Sequence, residues 1–179
     1  DSIDISRKTN ERRHIRQNPI EAYHYLCKVE SLDYTKAKDT DEASMTPKQF
    51  EKRFGYAPKG DVSEKTQIVI GGRSFSVICM LGYLCVEVVT VHEGSINSTV
   101  FKAFIEEECT AVIDTAAGEW GIYDNASIHK QVDVKLAIDH LFRGNWSFVP
   151  PYSPFLKPVE HLFALVKQFL RDHEDEARA

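Results

Sequence analysis

Two runs rich in β-branched residues, "RSFSVICML" (73–81) and "YLCVEVVTV" (83–91), stand with only Gly82 between them. Strands that close together can pair only antiparallel through a tight turn, because a parallel partner needs a crossover of a dozen residues or more. This hairpin constrains the rest of the chain, since its apolar side chains need a cover. The following segments supply one. "EGSINS" provides turn and cap residues for a helix over 98–115, with Phe101, Phe104, Ile105, Cys109 and Val112 on one stripe. "GIYD" predicts a short strand that runs into a turn at "NAS". A second helix carries Val134, Ala137, Ile138 and Leu141, "WSFV" predicts another strand, and a last helix starts at Pro158. That helix has the clearest stripe: Val159, Leu162, Phe163, Val166, Phe169 and Leu170.

Upstream, Asn18, Pro19 and Glu21 form a helix start, with an Asn cap, Pro in the first helical position and Glu at the third. Ile20, Tyr23 and Cys27 mark its expected apolar face, and the helix should run to about Ser31. A first strand should follow, ending near Asp41 and Glu42, although "DYTKAKDTDE" lacks apolar alternation. Lys38 and Asp39 would be costly in a buried central strand unless they reach solvent, so a frayed strand is expected. Residues 45–66 are polar, basic and broken by Pro and Gly, which predicts an extended loop or arm. The chain thus divides into a basic arm and helix over 1–34 and an α/β domain over 35–179. Three strands followed by alternating helices and strands predict a mixed five-stranded sheet flanked by helices.

A length of 179 residues suits one domain with a real core. The longest apolar run, 77–86, is too short to span a bilayer, which takes ~20 residues. Residues 1–10 are polar and charged, unlike a secretory leader. The four cysteines show neither a CxxC pair nor zinc spacing, so they read as reduced, mostly buried thiols of an intracellular protein. The net charge of −5 opposes simple electrostatic attraction to nucleic acid. Its distribution is uneven: residues 1–60 hold twelve Lys and Arg against ten Asp and Glu, whereas 61–179 hold ten against seventeen. The cluster "RKTNERRHIR" is either a phosphate contact or a solvated arm.

Three carboxylates occupy positions where chemistry is expected. Asp124 ends a strand, Glu160 opens the last helix behind "VPPYSP", and Asp41 closes the first strand. In an α/β sheet, sites form at the carboxyl ends of central strands. Carboxylates gathered there suit Mg²⁺ and similar hard cations. Taken singly, each residue also has a plainer reading. Asp124 and Asn125 make a turn pair, Glu160 favours a helix N-terminus through its dipole, and Asp41 sits in a solvated acidic cluster.

"DNASIH" together with "FVPPYSPFLKPVEHLFALVK" resembles the catalytic domain of mariner-type DDE transposases. The 35 residues between Asp124 and Glu160 fall within that family's usual spacing of its second and third acids. "DEASMTPKQFEKRFGYAPKG" resembles its first-acid segment, and "VHEGSINSTVFKAFIEE" its hairpin exit and first helix. The resemblance covers roughly residues 20–172. It implies a ribonuclease H-like fold, whose element order the chain shares. It also implies a metal-binding, catalytic triad of Asp41, Asp124 and Glu160, with Asp39 as the alternative first acid. Mg²⁺ or Mn²⁺ would be the cofactor and DNA cleavage and strand transfer the reaction. Partners would be DNA, at transposon ends and target, and a second protomer in a homodimer. Asn125, His129, Pro151 and Tyr152 would support the acids or meet substrate. Lys48, Lys52, Arg53 and Lys59 would reach DNA from the 45–66 arm. The family's N-terminal helix-turn-helix region has no counterpart in these residues, so the chain reads as a catalytic domain or a fragment. The rival readings are a domesticated, non-catalytic remnant that binds DNA or protein, and a structure-selective nuclease on the same fold.

Overall fold

In the computed structural model, which describes residues 17–46, 57–61 and 73–173, nine residues, Ala37–Met45, form strand β1. It lies at the centre of a five-stranded sheet with β2 (Phe75–Leu81), β3 (Val86–Glu93), β4 (Trp120–Tyr123) and β5 (Trp146–Phe148) in the order β3-β2-β1-β4-β5. The strand is not frayed, and it continues past Glu42 to Met45, the first residue of the predicted arm. It pairs antiparallel with β2 and parallel with β4. Lys38, Asp39, Thr40 and Asp41 are all buried.

The charges do not escape to water; they meet partners inside. Lys38 Nζ lies 2.5 Å from Glu87 Oε1 and 2.8 Å from Glu119 Oε1 on one face of the sheet. On the other face, Asp39 and Asp41 meet Lys157 at 3.5 and 3.1 Å. A buried charge is tolerable when it is paired and hydrogen-bonded, so the alternation of β1 is one of charge partners, not of apolar and polar groups.

Helices cover both faces. On the Lys38 face, α2 (Ser98–Ala103) and α3 (Val132–Phe142) pack on Ile78, Met80, Val88 and Tyr123. Beyond Ala103 the helix widens into a π turn over Phe104–Glu108 and tightens into 3-10 geometry over Cys109–Ala111, ending short of the expected residue 115. The wider turn keeps Phe104, Ile105 and Cys109 all buried. On the Asp39 face, α4 (Pro158–Asp172) lays Val159 and Phe163 against Ala43, Met45 and Cys79. Phe169, expected on that stripe, is exposed.

The first helix, α1 (Pro19–Val29), begins as predicted, with Asn18 Oδ1 accepting from Ile20 N–H at 3.0 Å. Its buried face is different. Ala22 and Tyr25 point inward, Tyr25 against Trp120, Ile122 and Val149, while Ile20 and Tyr23 are about two-thirds exposed. Tertiary cover by β4 chose the face, overriding a weak local stripe. Cysteine burial was half right, because Cys79 and Cys109 are buried whereas Cys27 and Cys85 are exposed. No helix among the described residues is long and apolar enough to cross a membrane.

Candidate active site

Parallel pairing of β1 with β4 sets Asp39 opposite Ile122. Two further steps along both strands bring Asp41 alongside Asp124, the residue that follows β4. β4 can lie this close to α3 because Gly121 has no side chain: a Cβ there would stand 2.8 Å from Phe142 Cε2. Across from the strand ends, the loop over 149–157 and the start of α4 form the opposite wall of a cleft of about 520 Å³. Asp124, Asn125, Pro151, Tyr152, Lys157 and Glu160 all line it. Asp41 lies deeper and is 6% exposed.

The walls are held by specific bonds. Asn125 Nδ2 donates to Val149 O, tying the β4 turn to the proline-rich loop. Tyr152 adopts a left-handed conformation with φ of 58°, a geometry that costs a non-glycine residue energy and that clusters at functional sites. Pro158 occupies the first turn of α4 and Glu160 follows in that same turn, as the sequence predicts.

Asp39 does something the sequence did not reveal. Its Oδ2 accepts the Val159 N–H at 2.9 Å, so it caps α4 from 120 residues away. The residue at the helix's own N-cap position, Lys157, makes no capping bond. A lysine where Ser, Thr, Asp or Asn is preferred was the available signal that the cap comes from elsewhere. Asp41 Oδ2 faces Lys157 instead, and its Oδ1 accepts from Glu42 N–H at 2.8 Å.

The electrostatics separate the acids. Burial pushes Asp41 up to about 6; Asp124 and Glu42 push the same way, and Lys157 opposes them. Burial also raises Asp39 against the pull of Lys157. Burial would raise Asp124 too, but contact with His129 and the Ala126 N–H, which donates to Oδ1 at 2.9 Å, hold it below the usual carboxylate range. At neutral pH Asp124 is therefore a fixed anion.

His129 is fully buried. Its Nε2 lies 3.0 Å from Glu42 Oε2, and its Nδ1 lies 2.6 Å from Asp124 Oδ1, an ion contact set off the line of a good hydrogen bond. Burial favours the neutral ring, yet the two carboxylates prevail and push His129 up to about 9. Its ring packs on Phe101 with centroids 4.3 Å apart. His129 therefore fastens Asp124 to Glu42 from beneath and does not face the cleft. Glu42, which the sequence offered only as a neighbour of Asp41, is its second anchor.

The carboxylate donor set suits a hard divalent cation, and the upward push of Asp124 on Asp41 is a repulsion that such a cation would relieve. Asp124 Oδ2 makes no hydrogen bond among the described residues, because both of the contacts above fall on Oδ1. Among those same residues no three acidic, His or Cys side chains stand close enough to hold one ion as placed. Lys157 Nζ occupies the space beside Asp39 and Asp41. Of the predicted DNA-contacting residues, Lys59 is exposed near a turn at 57–61, while Lys48, Lys52, Arg53 and the cluster at 7–16 lie outside the described residues.

Residues 40–178 match the model of a family described as DDE superfamily endonuclease. Among solved structures, the Mos1 transposase paired-end complex with left transposon end superposes with a TM-score of 0.68 at 16% identity, covering 93% of this chain and 53% of that one. The Mos1 strand transfer complex gives 0.68 at 16%, covering 93% and 52%. The catalytic domain of Mos1 mariner transposase gives 0.55 at 17%, covering 93% and 75%. Mos1 paired-end complexes have also been solved with Mg and with Mn. The chain spans about half the length of the Mos1 chains in these complexes. At such identity the likeness shows the fold, which is ribonuclease H-like. No curated protein matches the sequence.

Proposed function

The chain belongs to the DDE superfamily endonucleases, and from that premise we propose that it is the catalytic domain of a DNA transposase, cleaving DNA strands and transferring them with a divalent metal. The observation that carries this reading is that Asp41, midway along β1, lies beside Asp124 at the carboxyl end of the parallel strand β4, with Glu160 across the same cleft. The Mos1 complexes with transposon DNA and with Mg or Mn support the choice of substrate and cofactor.

In this reading Asp41, Asp124 and Glu160 are the metal ligands, and Asp39 serves the fold as the cap of α4. Bound there, Mg²⁺ or Mn²⁺ supplies the charge that activates a water or a DNA 3′-hydroxyl and stabilises the leaving oxygen of a phosphodiester. The protein's own part is to position. His129 fixes Asp124 as an anion, Asn125 locks the loop over 149–157, and the prolines before α4 limit the freedom of Glu160. Lys130 and Lys157 in the cleft wall would meet the phosphate backbone. Transposon ends, target DNA and a homodimer are the proposed partners, with Lys59 and the basic segments at 7–16 and 48–53 as contacts. Location in the nucleus of a eukaryotic host follows from that substrate.

The test is a strand-cleavage assay on DNA duplexes with Mg²⁺ and with Mn²⁺. Asp41→Asn, Asp124→Asn and Glu160→Gln should each lower cleavage by orders of magnitude, while Asp39→Asn, which keeps a cap acceptor, should retain most of it. Undiminished cleavage by Asp124→Asn or Glu160→Gln would refute the assignment.

A further inference from the structure

Lys157 is 2% exposed, and three oxygens surround its ammonium. Thr40 O accepts from Nζ at 3.0 Å, Asp41 Oδ2 lies at 3.1 Å and Asp39 Oδ1 at 3.5 Å. One carbonyl and two carboxylates are the oxygen donors that a hard cation takes. The side chain also lines the cleft that holds Asp124 and Glu160, so the ammonium stands at the inner end of the same acid cluster. Two positive centres a few ångströms apart in a poorly solvated site repel strongly, far more than in water. A dication on Asp41 and the ammonium at its present distance therefore compete for the same carboxylate.

We propose that Lys157 is a resident cation of the acid cluster, which keeps Asp39 and Asp41 paired in the metal-free protein and sets, by competition for Asp41, how tightly Mg²⁺ or Mn²⁺ binds. The inference rests on the reading of Asp41, Asp124 and Glu160 as metal ligands. It explains how two buried aspartates fit on one face of a central strand. It also makes Lys157 a positioning residue: it orients Asp41 before metal arrives and withdraws toward the open cleft when metal binds. Metal loading would then be weak in the free protein and stronger once a DNA phosphate offers the ammonium another partner.

The experiment measures Mn²⁺ dissociation constants by electron paramagnetic resonance of free Mn²⁺, at pH 8 and low salt, without DNA. Four proteins are compared: the parent, Lys157→Gln, Lys157→Arg, and the double variant Asp39→Asn with Lys157→Gln. Gln places an amide donor toward Thr40 O, one bond shorter in reach than Nζ, and Asn can still accept from Val159 N–H. The double variant therefore removes both buried charges of the pair and leaves neutral polar groups in their place. It keeps the test open if Lys157→Gln alone folds poorly. Removal of the ammonium should tighten Mn²⁺ binding by roughly tenfold or more in the Gln variants, while Lys157→Arg stays near the parent value. Tightening of less than about threefold, or weaker binding, overturns the inference, as does an Arg variant that binds like the Gln variants. Asp124→Asn and Glu160→Gln serve as controls for the underlying reading. If they leave Mn²⁺ affinity unchanged, the ligand assignment falls and the inference with it. If they weaken binding while the Gln variants do not tighten it, only the inference falls.

Discussion

Replacing Asp124 with Asn should lower the stability of the metal-free protein by an amount the His129 contact sets. His129 titrates at about 9 where 6.5 is ordinary. A raise of that size is worth roughly 3 kcal/mol at about 1.36 kcal/mol per pH unit. Two carboxylates share it, Asp124 at 2.6 Å and Glu42 at 3.0 Å, so the Asp124 part is about half, or ~1.5–2 kcal/mol. Asn keeps an oxygen for the Ala126 N–H, which preserves the turn. With an unfolding entropy near 2.1 cal/mol/K per residue over 179 residues, the expected drop in Tm is about 4–5 °C. The sign with pH is definite. A group raised in the folded state gives its full stabilisation below the unfolded value of 6.5 and loses it as pH rises through about 9. The deficit of Asp124→Asn should therefore be largest near pH 6 and close to zero by pH 10. Melting curves of parent and variant at pH 6, 7.5 and 10 without metal test this. A second set with Mn²⁺ tests the site: Mn²⁺ at a hundred times its dissociation constant stabilises by about 2.7 kcal/mol, or roughly 7 °C for the parent, and should do little for the variant. A variant as stable as the parent at pH 6, or a deficit that persists undiminished at pH 10, would refute the argument that a charged His129 anchors Asp124.

Lys38→Met should destabilise by about 3–5 kcal/mol, because it strands Glu87 and Glu119 beside a buried strand; adding Glu87→Gln and Glu119→Gln should recover most of the loss in denaturant titration, and no recovery would mean that shape rather than charge is at fault. Gly121→Ala should cost about 1–3 kcal/mol by the same measurement, since its new Cβ would press on the buried rings of Phe142 and Tyr123; a neutral result would show that α3 can shift away from β4.

The sequence alone determined what local patterning can determine. Strand and helix order, the β2–β3 hairpin, the Pro158 start of α4 and the inward stripe of α3 all follow from spacing and caps within a few residues, and they suffice for a mixed sheet flanked by helices. The hairpin's turn, however, takes 82–85 and not Gly82 alone, with Gly82 N–H donating to Cys85 O. The positions of Asp124 behind β4 and Glu160 in the first turn of α4 were legible for the same reason. What failed to read was whatever depended on a distant partner. The charged β1 looked unfit for a core because its counter-ions lie far along the chain: Glu87 is 49 residues from Lys38, and Lys157 is 118 (157 − 39) from Asp39. The face that α1 buries was decided by Trp120 and Ile122, not by its own stripe. Asp39 and Asp41 are indistinguishable in sequence, two residues apart on one face of one strand. Only the fold separates them, by giving the Val159 N–H to Asp39 and the neighbourhood of Asp124 to Asp41. Local sequence specifies backbone geometry, but the energy of a buried charge depends on what stands within a few ångströms of it, and only the tertiary structure decides that.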